Sequence, residues 1–118
     1  SEYSPKLTPD GAHVTAVCIE EDGSTQRIWQ YPLEGDYGEV LMKKVDSVGY
    51  YDWIDEKRLG FFVLTDPFSL QIAHKRRQKQ KVVAKNIGRS IHRFPGTDSL
   101  TFVRKDTASK GFIYSWHR

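Results

Sequence analysis

Four histidines, one cysteine and scattered carboxylates are the side chains with which this chain could do metal, nucleophilic or acid–base chemistry. Their spacing gives none of these a local frame. His13, His74, His92 and His117 each stand without a second histidine nearby, whereas a zinc site on one element needs ligands a few positions apart. No His-Glu-x-x-His, Gly-x-Ser-x-Gly, Gly-rich phosphate loop or paired-cysteine pattern occurs. Cys18 lies inside the apolar run HVTAVCI (His13–Ile19), which predicts a buried core thiol. No catalytic residue, metal or cofactor is expected from these residues.

Recognition chemistry has better candidates. GYYDW (Gly49–Trp53) and SIHRF (Ser90–Phe94) carry aromatics beside single polar groups, the mixture that suits a binding pocket. Aligned, they set Tyr51 against His92 and Asp52 against Arg93. Tyr50, Tyr51, Asp52, His92 and Arg93 are therefore the candidate ligand-binding cluster, provided the fold brings the two segments together. A second concentration is HKRRQKQK (His74–Lys81), with five cations and no aromatic between them. It reads as a solvated hairpin loop between the third and fourth strands, or as a contact for nucleic acid, acidic lipid or an acidic protein. Base stacking is not suggested. The net charge of +3 is far below a dense basic face, so no nucleic-acid partner is expected. The longest apolar run, LGFFVL (Leu59–Leu64), is much too short to span a membrane.

The elements that must position these residues are strands. The 118 residues make one domain or less, 38% apolar and 13% aromatic. Lys75–Val83 is the one helical candidate, and it lacks an apolar stripe. Elsewhere short apolar or alternating segments are separated by turn residues. The first cycle reads Tyr3–Thr8, His13–Ile19, Gln26–Leu33 and Glu39–Lys43, with turns at Pro9-Asp10-Gly11 and Asp22-Gly23. The second reads Val48–Trp53, Arg58–Leu64, Ser69–His74 and Lys81–Lys85. The third reads Ser90–Phe94, Ser99–Lys105 and Gly111–His117.

The cycles overlay. Asp10 and Asp55 are 45 residues apart, as are Val14 and Leu59, and Cys18 and Val63. Trp53 and Phe94 are 41 apart. IWQY (Ile28–Tyr31) matches IYSW (Ile113–Trp116). Four short strands at this period predict an all-β fold of antiparallel four-stranded propeller blades. The expected blades are 3–43, 48–85 and 90–118, the last without its fourth strand, so the ring is expected to be incomplete. Face-to-face packing of blades explains why LGFFVL is apolar on both faces.

SPKLTPDGAHVTAVCIEEDGSTQRIWQYPLEG resembles the TolB-type propeller repeat. Thr8-Pro9-Asp10-Gly11, Asp22-Gly23, Ile28-Trp29 and Leu33-Glu34-Gly35 match its pattern. The second cycle departs from it: Trp53-Ile54-Asp55-Glu56 keeps the aromatic and the Asp but not Pro and Gly. The third keeps only Phe94, Pro95 and Gly96. The resemblance implies a six-bladed propeller and a bacterial, periplasmic or otherwise extracytoplasmic setting, with a cytoplasmic one still open. Three arrangements follow: a fragment of a longer propeller, a homodimer completing a six-bladed ring, or a small open β-sandwich. The expected function is non-catalytic, a scaffold presenting loops and a channel mouth to a partner protein or small polar ligand. The alternative is an accessory or catalytic propeller portion of a larger hydrolase or polysaccharide lyase.

Overall fold

The computed structural model describes residues 2–35, 37–93, 99–107 and 110–117. The hairpins that build it are set by local turn chemistry. In TPDG, the Thr8 hydroxyl donates to Asp10 Oδ1, and the same oxygen accepts the Ala12 N–H at 2.9 Å. Gly11 closes the turn at φ +74°, a conformation that costs glycine little. Forty-five residues on, Asp55 Oδ1 accepts the N–H groups of Lys57 and Arg58 at 2.8 and 2.9 Å. The two aspartates do the same job two residues ahead of themselves, which is why they recur at the repeat spacing. Asp22 caps the next hairpin through Ser24 N–H, Thr25 N–H and the Thr25 hydroxyl. The third-cycle turn at Pro95 to Asp98 lies outside the described residues.

Among the described residues eleven strands form three antiparallel sheets, with no helix. The first sheet is β1 (Glu2–Leu7), β2 (His13–Ile19), β3 (Gln26–Pro32) and β4 (Glu39–Val40). The middle sheet is β5 (Val48–Trp53), β6 (Arg58–Val63), β7 (Ser69–His74) and β8 (Gln80–Lys85). The third is β9 (Ile87–Arg93), β10 (Ser99–Thr107) and β11 (Lys110–His117). Each sheet follows chain order, and the strands within it pair antiparallel. The fold is thus all-β and blade-like, in an incomplete ring.

The middle sheet is covered on both faces. Successive side chains of a strand point to opposite sides. Leu59, Phe61 and Val63 pack with Val17, Ile28, Met42 and Trp53 between the first and middle sheets. Phe62, Leu70 and Ile72 pack with Ile87, Ile91, Leu100 and Phe102 between the middle and third. Phe61 and Phe62 are almost wholly buried, each stabilising the stack by roughly 1.5–3 kcal/mol. Gly60 lets the third sheet approach: a Cβ there would lie 2.2 Å from Leu100 Cδ1.

Three expectations are corrected. The fourth strand of the first cycle is β4, Glu39–Val40, rather than Glu39–Lys43. Met42 and Val45 turn inward to fill the core between the first two sheets, which takes the chain off the edge. Lys75–Val83, which lacks an apolar stripe, is the β7–β8 turn and most of β8, in line with the loop and the strand Lys81–Lys85 expected there. The third sheet begins at Ile87, before Ser90, because Asn86 turns the chain at φ +57° and Ile87 pairs with Arg104. Cys18 is half-buried, on the far face of the first sheet. That face carries Leu7, Val14, Trp29, Tyr31 and Val40, and no sheet covers it among the described residues. Val14, Ala16 and Cys18 occupy the places that Leu59, Phe61 and Val63 fill one repeat later, where they are buried.

Candidate functional site

The first strands of the three sheets, β1, β5 and β9, run beside one another and carry the polar cluster. On β5, Asp52 has one oxygen fixed by the Trp53 N–H at 2.9 Å. Its other oxygen accepts the backbone N–H of Arg93 on β9 at 2.8 Å. The carboxylate therefore ties the middle sheet to the third. Lys6 on β1 reaches across from the other side. Its Nζ donates to the Tyr50 hydroxyl at 3.1 Å and lies 3.9 Å from Asp52 Oδ1. The ammonium also sits 5.1 Å from the centre of the Tyr50 ring, within cation–π range. His92 meets the Tyr50 ring edge-on, centroids 6.3 Å apart at 61°. His92 is exposed, while Lys6, Tyr50, Asp52 and Arg93 are half-buried.

Four of the five expected residues, Tyr50, Asp52, His92 and Arg93, are thus brought together. Tyr51 departs from them. It is fully buried between the first two sheets, with its hydroxyl 2.9 Å from Thr15 Oγ1 and 3.0 Å from the Ser4 carbonyl. Burial raises its pKa well above the ordinary phenol value. Neighbours on a strand face opposite ways, so the Tyr51 hydroxyl turns between the sheets while its ring borders the cluster, 6.0 Å from Lys6 Nζ. Lys6 is missed by the sequence motifs. Its signal is position: it is the one cation on the first strand of the first cycle.

Beside the cluster, Tyr50 also walls a groove of about 430 Å³ lined by Tyr3, Ser4, Gly49, Phe62 and Leu64. Gly49 keeps it open, since a Cβ there would meet Phe62 Cδ1 at 2.8 Å. Ser4 lines it in the left-handed region at φ 56°, where β1 shifts register against β2. That conformation costs a non-glycine residue roughly 1–2 kcal/mol. The Tyr51 hydroxyl on the Ser4 carbonyl helps to hold it.

Chemically, the site offers an aromatic groove with an ammonium, an imidazole and a fixed carboxylate at one end. Apolar walls with a few placed polar groups are the composition of small-molecule pockets. Among the described residues no three His, Cys, Asp or Glu side chains are grouped to hold a metal ion, and no helix is long and apolar enough to cross a membrane.

A scan against models of known protein families finds no match to this chain, and a comparison with curated proteins finds none of significance.

Proposed function

We propose that the chain is a non-catalytic portion of a TolB-type β-propeller that binds a small polar or peptide ligand at the mouth of its channel. One observation carries this reading. Lys6, Tyr50, Asp52, His92 and Arg93 come from the first strands of three successive sheets and converge beside an aromatic-lined groove. Residues remote in sequence meet only because the sheets stack. In this reading Lys6 and His92 orient the ligand's polar end, Asp52 holds the strands in place, and the groove takes its apolar part.

The partners are further blade-like sheets, from other propeller blades or from a second copy completing six. The uncovered face of the first sheet supports this, since its residues match those buried one repeat later. The resemblance of the first cycle to TolB repeats supports an extracytoplasmic, bacterial setting.

The test is an amide-shift NMR titration of the chain with a panel of short peptides and small carboxylates. Shifts should cluster at Lys6, Gly49, Tyr50 and His92, and Lys6→Ala with His92→Ala should abolish them while the fold persists. Shifts that fall elsewhere, or that survive both substitutions, would contradict the reading.

A further inference from the structure

The basic run after β7 is held in a fixed shape by one residue, Gln78. Its backbone turns through the left-handed region at φ 58°. Its side-chain amide donates to the Leu41 carbonyl at 2.8 Å and to the Lys75 carbonyl, and its Oε1 accepts the Lys43 N–H at 2.9 Å. Gln80 reaches the Lys44 carbonyl at 3.5 Å. The Lys75 N–H donates to the Lys57 carbonyl at 2.7 Å. Cations from three chain segments are therefore gathered at one end of the sheets: Lys43 and Lys44 after β4, Lys57 before β6, and the turn with Arg76, Arg77 and Lys79. With Lys81 these make seven exposed side chains of the 18 lysines and arginines.

None of the seven is in an ion pair among the described residues. The acids on this end include Asp10, which feels the charge of Lys75, with Asp55 and Glu56; Asp10 and Asp55 already cap their own turns. His74, at the base of the turn, has its pKa lowered first by desolvation and then by the charges of Arg77, Arg58 and Lys57. The local field is positive although the chain as a whole carries only +3.

We infer that this end of the sheets is a docking surface for an acidic polypeptide segment. The backbone that carries these cations is held by Gln78, so less loop freedom is lost on binding. The turn offers no aromatic for base stacking and no apolar side chain for a bilayer. The positive field is bounded on the first sheet by Glu20, whose ion-pair partner Arg27 reaches the Lys43 carbonyl at 3.4 Å.

The test is fluorescence anisotropy of a labelled oligoglutamate peptide titrated with the full chain. Binding is expected at low salt and should weaken as salt screens the contact. Arg77→Glu should lower affinity about tenfold, as a charge reversal in the contact does, while Lys85→Glu, with the same change in net charge, leaves it unaltered. Lys79→Glu serves as a second variant, and thermal melts confirm that each folds. Absence of binding at low salt, equal losses in Arg77→Glu and Lys85→Glu, or a preference for duplex DNA or phosphatidylglycerol vesicles would overturn the inference.

Discussion

Replacing Thr15 by valine tests the joint between the first two sheets with almost no change of shape. Thr15 is fully buried, and its hydroxyl oxygen receives the Trp53 indole N–H at 3.2 Å. The same oxygen lies 2.9 Å from the Tyr51 hydroxyl and 3.3 Å from the Lys6 carbonyl. In Thr15→Val, Tyr51 keeps the Ser4 carbonyl, but the Trp53 indole N–H is left buried without its partner. An unsatisfied buried donor costs about 1–3 kcal/mol. The lost bond to Lys6 adds roughly 0.5–1.5 kcal/mol, and the extra methyl returns about 0.8 kcal/mol. The expected destabilisation is therefore about 1–3 kcal/mol, a fall in Tm of several degrees for a domain of this size. Urea unfolding followed by tryptophan fluorescence and circular dichroism measures it. Thr15→Ser keeps the hydroxyl and should cost clearly less. If valine proves as stable as wild type, or serine proves worse than valine, the hydroxyl does not join the sheets.

The other junctions yield their own outcomes. Gly60→Ala forces its Cβ against Leu100 and should destabilise by about 1–3 kcal/mol; adding Leu100→Ala should recover part of that loss in a double-mutant cycle read by urea melts. Gln78→Ala leaves the Lys43 amide unbonded, so hydrogen exchange at Lys43 should accelerate while the β6 amides keep their protection. Asp22, held to about 2 by the Thr25 hydroxyl and the Thr25 and Ser24 amides, has a folded pKa below its unfolded one. Its contribution is complete above pH 4 or so and is lost as pH falls toward 2, which NMR titration of the Asp22 carboxyl checks, with Asp22→Asn removing the step.

What was legible in the sequence was local. Asp10, Asp22 and Asp55 announce hairpins because each carboxylate bonds amides only two or three residues away. LGFFVL announces a strand packed on both sides because no strand with a wet face reads that way. Tyr50 against Tyr51 was not legible: alternation says that they face apart, and only the sheet order says which side holds the cluster. Lys6 and Gln78 were hidden for a related reason. Each is a polar residue in a polar stretch, and its partner lies 44 residues away at Tyr50 or 37 away at Leu41. Met42 read as strand because its apolar character fits an edge as well as a core. Its burial depends on the neighbouring sheet.

The stacking of the sheets underlies the core, the cluster and the groove alike, and NMR nuclear Overhauser contacts in the isolated chain test it most directly. The fold predicts cross-peaks between the Gly60 Hα and the Leu100 methyls, between the Tyr51 ring and Thr15, and between the rings of Tyr50 and His92. Cross-peaks confined to hairpin partners within each sheet, with those three absent from a folded sample, would contradict the stack and the site it assembles.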